Sequence, residues 1–278
     1  MRCIITIVAI ACIIFAVPAA RAGAEPIGLD VGLQYSSDYF WRGFTFYGAE
    51  SVDETRAVFF PWIGYGAGDF YLYVGGEVAE AIVADDPSDV EQDWNGVDFI
   101  LTWSKPVFDE ALTLGMKVSY FWYPRSRSGD FGNGIANDFA EVAPSITFSK
   151  LPLSPRILVS WYYRIEEQYE GQETAKDIYT HLSMGHSFTF NEITSLYLGA
   201  WGAYFHYASQ ELENGDPRKG FSDVGITAKL TAKASSMISF NASYNYAYTP
   251  DEDFYRFTNT GKADKHHHWT SFGVTCSL

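Results

Sequence analysis

Cysteine is nearly absent from this 278-residue chain. Two of its three cysteines, Cys3 and Cys12, fall in the first segment, and Cys276 stands alone near the other end. An intrachain disulfide after that segment is therefore excluded. Basic residues are also scarce, 19 Lys and Arg against 34 Asp and Glu. A surface of that sign repels phosphates, so no nucleic-acid partner is expected. Beyond the first segment no run of 18 apolar residues occurs, which leaves no candidate for a membrane-spanning helix. Barrel strands stay open, because their alternating signal is weaker. There is no Gly-rich phosphate loop, no Cys pair and no zinc-binding helix motif, so nucleotide chemistry is not indicated and neither a cofactor nor a metal site is expected.

The first segment, "MRCIITIVAIACIIFAVPAARAGAEP", places Arg2 before an apolar run from Cys3 to Val17 and then small residues. It reads as a secretory signal peptide over residues 1–22, cut between about 22 and 24. Its removal takes Arg2 and Arg21 with it, leaving 17 basic and 34 acidic residues, a net charge of −17. Residues 23–278 are then one domain.

What that domain has in excess is aromatics, 17% of the chain, with 19 Tyr and 21 Phe. It also has alternation. Ile27, Leu29, Val31, Leu33 and Tyr35 are apolar, and Gly28, Asp30, Gly32 and Gln34 lie between them. Period two marks a strand with one apolar face. The pattern recurs, most clearly as Leu112, Leu114, Met116, Val118, Tyr120 and Trp122 against Thr113, Gly115, Lys117 and Ser119. Twelve strands are predicted, at about 27–42, 55–66, 70–83, 96–105, 111–124, 138–149, 156–167, 176–190, 195–207, 220–232, 237–249 and 267–278. The second and ninth carry aromatics on both faces, and their facing stays open. Short links such as "AGD" at 67–69 alternate with long acidic ones such as "ADDPSDVEQDWN" at 84–95. Short turns on one rim and long loops on the other describe an all-β, up-and-down antiparallel transmembrane β-barrel of 12 strands. An even strand number puts both termini on the short-turn rim, expected to be periplasmic.

Aromatics at strand ends read as two interfacial girdles. "DYFWRGFTFY" would lie at the outer end of the first strand, level with Tyr120, Trp122, Tyr163, Tyr204 and Tyr244. Trp62, Tyr65, Phe70, Trp103 and Phe188 would form the opposite belt. The apolar faces must meet lipid, because Lys117, Arg164 and Lys229 on that side would each cost about 2–4 kcal/mol near mid-bilayer. A soluble sandwich or lipocalin-like barrel is the competing fold, with the same faces turned into a core.

The stretch "SSDYFWRGFTF" resembles the signature of the TorF-type porin family, bacterial outer-membrane β-barrels whose first strand ends in a Ser-Asp-Tyr-x-Phe/Trp-Arg-Gly pattern. Asp38, Tyr39, Trp41, Arg42 and Gly43 carry the match together with Ser37 and Phe40. The resemblance implies a barrel in the outer membrane. The last strand, with Phe272, Val274, Cys276 and Leu278 at alternate positions, is similar to the signal read by the barrel assembly machinery.

The expected function is an outer-membrane channel for passive diffusion of small hydrophilic solutes or ions, with a mild cation preference from the acidic loops. Expected lumen-lining residues are Asp30, Arg56, Glu77, Asp98, Lys117, Glu141, Arg164, His181, Asp223 and Lys229. No catalytic residue is expected. Outer-membrane lipid and lipopolysaccharide, the assembly machinery and small solutes are the expected partners. Two other classes remain. A lipase-type barrel would need a Ser/His pair at the outer lipid-facing surface. His181 and Ser183 share a face, but the inward one, and no Gly-x-Ser-x-Gly elbow is present. A closed structural or binding barrel would use its inward charges as ion pairs. "KHHH", Lys265 to His268, alternates faces along a strand, and "DDPSDVEQD" lacks the spacing of a calcium loop.

Overall fold

Alternating side chains produce a closed barrel because each strand has one face suited to lipid and one to a polar interior. The computed structural model describes residues 28–41, 44–46, 57–79, 96–122, 139–164, 177–211, 217–251, 254 and 265–278. The proposed signal peptide, Arg42, Gly43 and Arg56 lie outside these residues. Fourteen strands occur among them: β1 (Leu29–Ser36), β2 (Tyr39–Trp41), β3 (Phe44–Phe46), β4 (Val58–Ala67), β5 (Phe70–Ala79), β6 (Gly96–Val107), β7 (Leu112–Trp122), β8 (Phe139–Thr147), β9 (Arg156–Arg164), β10 (Asp177–Thr189), β11 (Thr194–Glu211), β12 (Pro217–Lys233), β13 (Ile238–Tyr248) and β14 (His266–Ser277).

Twelve of them, β1 and β4 to β14, form one closed antiparallel barrel in which β1 pairs with both β4 and β14. Closure removes the unpaired strand edges that open sheets must protect. The barrel's exterior is oily and its interior polar. Val118 is 45% exposed and Ile226 55%, and Leu72, Leu101, Ile157, Leu182, Phe240 and Phe272 are exposed on the same outer surface. On the opposite face Glu77 and Glu141 are wholly buried and Asp223 nearly so. Contiguous apolar surface of this extent is untenable in water, while in a bilayer it is what lipid-facing strands require. The soluble-core alternative is thereby overturned.

The links on one rim are short. Gly68 and Asp69 alone join β4 to β5, with Gly68 in the left-handed region at φ 58°, where a side chain would be strained. Both ends of the barrel meet at this rim, where the Leu278 amide donates to the Leu29 carbonyl at 2.8 Å. The long acidic links leave from the other rim.

Two expectations are corrected. The first strand does not run to residue 42. It ends at Ser36, whose hydroxyl donates to the Asp38 carbonyl at 2.6 Å, and the Ser37 amide bonds Thr270 at 2.9 Å. Ser-Ser-Asp is turn chemistry, and it releases the chain from the wall. Tyr39–Trp41 and Phe44–Phe46 then pair with each other as a separate two-stranded hairpin. The aromatic stretch is therefore not the upper end of a barrel strand. The second correction is Trp62, which leaves the girdle for the interior. Its strand is fixed against β1 so that Trp62 is opposite Gly32, and a one-residue slip would turn every side chain over. That register also settles the open facings. Phe60 and Trp62 face inward on β4, with Phe59, Ile63 and Tyr65 outward. Tyr197, Trp201 and Phe205 face inward on β11, with Leu198 and Tyr204 outward.

Candidate functional site

Half of the interior wall, from β7 to β12 toward the long-loop rim, is filled. Phe121 stacks on Phe139 at 4.4 Å between ring centroids, and Phe139 leads through Tyr162 to Phe205 at 5.8 and 5.9 Å. Phe254, from the link between β13 and β14, lies fully buried against Phe205 at 6.1 Å. This cluster narrows the interior from one side.

Below and beside it lie charged groups on neighbouring strands. Lys117 Nζ on β7 is 2.8 Å from Glu141 Oε2 on β8, and Ser160 Oγ on β9 donates to Glu141 Oε1 at 2.6 Å. A buried carboxylate needs such partners, because an unpaired ion out of water costs several kcal/mol. Asp98 on β6 faces the same region, opposite Gly75 and Phe121, with Glu77 diagonal to it on β5. Asp223 on β12 accepts bonds from Trp201 Nε1 at 2.7 Å and Ser222 Oγ at 2.8 Å. Its position depends on a bulge: Asp223 pairs with Ala203 while Phe221 pairs with Tyr204, so Ser222 is the extra residue and turns inward, fully buried.

Of the residues marked out by sequence, the fold brings Glu77, Asp98, Lys117 and Glu141 together on four adjacent strands. Asp30 sits apart at the short-turn rim and accepts from the Tyr71 hydroxyl at 3.1 Å. His181 lies on the interior face of β10, its ring 5.9 Å from Tyr179. Arg164 ends β9 opposite Phe139. Lys229 stands opposite Tyr197 and Ser243, exposed to the interior space, and among the described residues no acid lies within ion-pair distance of it. Asp38 is buried just beyond β1. His266 and His268 face outward, each accepting from or donating to a tyrosine of β13, Tyr246 and Tyr244, while His267 is buried on the other face.

On the other side of the interior the described residues leave a space between them. A cavity of about 440 Å³ is bounded by β4, β5, β12, β13, β14 and β1. Its lining includes Phe60, Trp62, Tyr73 and Trp269, with Lys229, Asn241 and Gln34 supplying polar groups. The rings do not project into the space. A β-carbon at Gly32 would overlap the Trp62 indole, and one at Gly75 would overlap the Tyr73 phenol. Trp62 thus packs over the glycine opposite it on the next strand and Tyr73 over a glycine two residues along its own, the arrangement by which aromatics cover glycines in sheets. Tyr197 over Gly185 and Gly199, and Trp201 over Gly225, repeat it. Sequence periodicity could mark Tyr71, Tyr73 and Tyr162 as inward. It missed Trp62, Trp201, Trp269, Arg156 and Asp177. The signal that could have found the first two is a large ring two strands or fewer from an inward glycine, and it becomes readable only once register is known.

No protein-family model matches the chain, and no curated protein matches it. Among solved structures the chain is similar to the NanC porin, with 10% identity, 90% of this chain and 100% of that one covered, and a TM-score of 0.53. It is also similar to the COG4313 outer membrane channel from Pseudomonas putida F1, with 9% identity, 92% and 97% covered, and a TM-score of 0.50. At these identities the likeness is one of fold.

Proposed function

We propose that the protein is an outer-membrane channel for passive diffusion of small hydrophilic solutes. The observation that carries this reading is the pairing of an apolar exterior with a polar interior that retains a 440 Å³ space. Eight-stranded barrels can be filled by side chains, whereas twelve strands leave room for a conduit. Glycines under Trp62, Tyr73, Tyr197 and Trp201 keep that room by letting large rings lie against the wall. The barrel likeness to the NanC porin and the COG4313 channel supports the same class and the same membrane.

Ion preference follows from where the charges are free. Glu141 and Asp223 are engaged within the wall, so the net charge of −17 acts mainly through the acidic outer links. Those links raise the local cation concentration at the mouth, giving a mild cation preference that fades as salt shortens the Debye length. The finer assignments belong to the same reading: TorF-type membership from "SSDYFWRGFTF", both termini periplasmic, lipopolysaccharide around the outer girdle, and the assembly machinery at β14. The test is reconstitution in planar bilayers. Discrete conductance steps, with a reversal potential in a salt gradient on the cation side, are the expected result. Bilayers that stay silent across salts and voltages would reject the channel.

A further inference from the structure

We propose that the interior cavity beside β4 and β5 is a binding track for neutral saccharides, with the ring faces of Trp62 and Tyr73 as its floor. This rests on the channel reading and names its solute class.

Three observations point to a sugar. The first is orientation. Trp62 and Tyr73 pack over Gly32 and Gly75, and their planes are only 28° apart with centroids 5.7 Å from one another. The two rings stack on one another with an offset, and both line the interior space, so the uncovered parts of their faces make one apolar surface. A pyranose carries a patch of axial C–H groups on its own face, and that patch fits such a floor without losing any hydrogen bond. An inorganic ion has no comparable flat apolar side. Phe60 and Trp269 extend the apolar lining beyond the pair.

The second is the polar rim. Lys229, Asn241 and Gln34 line the same cavity. Hydroxyls both donate and accept. The two amides do both as well, and Lys229, with no acid within ion-pair distance among the described residues, keeps its donors free for a ligand oxygen. A few placed polar groups around an apolar surface is the usual construction of a small-molecule site, and about 440 Å³ lies within the usual range of roughly 300–1,000 Å³. Asp38 also borders the cavity, so Lys229 does not make it a net cationic site, and a neutral sugar fits better than an acidic one.

The third is repetition. Tyr197 packs over Gly185 and Gly199, and Trp201 over Gly225 with its ring centroid 6.5 Å from that of Trp269. Rings over glycines therefore recur across β10, β11 and β12, where a sugar leaving the Trp62–Tyr73 floor meets further faces.

Two measurements on the folded, full-length barrel test this together. In planar bilayers, maltotriose should interrupt the ionic current in a saturable way, with half-effect on the order of millimolar, the affinity of a contact that must release its solute. Trp62→Ala should weaken that block roughly 2- to 12-fold, the scale of one lost aromatic face. Phe240→Leu, on the lipid side, should leave it unchanged. Lys229→Met should weaken the block by maltotriose, and trigalacturonate should block no better than maltotriose in the parent protein. In detergent micelles, tryptophan emission should shift on titration with maltotriose and lose the shift in Trp62→Phe. Channels that conduct but show no maltotriose block, or a block indifferent to Trp62→Ala, would overturn the saccharide track and leave the channel standing. Stronger block by trigalacturonate would overturn the neutral-sugar assignment. Silent bilayers with a maltotriose-dependent emission shift would overturn the channel while supporting the track.

Discussion

The orientation of β7 makes a sharp prediction, because a cation and its lipid-facing neighbour are adjacent. Lys117 points inward to Glu141 at 2.8 Å, and Val118 points outward with 45% of its surface exposed. Val118→Lys moves the same charge by one residue and turns it into hydrocarbon. Depth follows from the strand. Val118 is four residues from the outward ring of Trp122, about 13 Å along β7 at 3.3 Å per residue. A tilt of about 40° converts that to about 10 Å of depth, close to the middle of an apolar band about 25 Å tall. A Lys at that depth costs about 2–4 kcal/mol, which is roughly a 30- to 700-fold change in the folding equilibrium. The assay is urea-dependent folding into phosphatidylcholine vesicles, followed by tryptophan emission and by the heat-dependent gel shift of folded barrels. Val118→Leu, which keeps the surface apolar, should stay within about 1 kcal/mol of the parent. If Val118→Lys also stayed within that margin, the exterior of β7 would not be in lipid, and the assignment of faces would fall.

Other expectations concern the interior. Lys117→Met leaves the fully buried Glu141 without its cation and should cost about 3–5 kcal/mol, nearer the low end because Lys117 is not itself fully buried. Adding Glu141→Gln to that variant should restore most of the loss in the same folding titration. Trp201→Phe removes the 2.7 Å bond to Asp223 and should destabilise by about 1.5–3 kcal/mol, and a variant as stable as the parent would show that Asp223 does not depend on it. Gly32→Leu drives a side chain into the Trp62 indole and should push the ring inward. Its single-channel conductance should drop, and unchanged conductance would mean that the Trp62 ring does not border the conduction path. Lys229→Glu should move the reversal potential further toward cations; an unchanged potential would place Lys229 off the ion path.

Much of the barrel was legible because its signal is local. The alternation in 112–122 and in 238–248 needs no knowledge of neighbours, and those segments are strands β7 and β13. Lys117 and Glu141 could be marked as inward from their own strands. Their pairing could not, because the 2.8 Å contact depends on the register between β7 and β8. The first strand misled for a physical reason. Aromatics continue past Ser36 with strand-like composition, and the local bond from the Ser36 hydroxyl to the Asp38 carbonyl turns the chain there, ahead of its own hairpin. Trp62 misled in the opposite way. An indole near a strand end suits a girdle, and its inward position needs the space above Gly32, a residue 30 positions away in sequence.

The most direct test is to ask which side chains touch lipid. Single cysteines at Leu101, Val118, Gln34 and Lys229, in a Cys276→Ser background, would be labelled with an environment-sensitive fluorophore and folded into vesicles containing brominated acyl chains. The account predicts strong quenching by the bromines at 101 and 118, and at 34 and 229 quenching by aqueous iodide instead. Labels at 34 or 229 quenched by lipid, with 101 and 118 open to iodide, would contradict it.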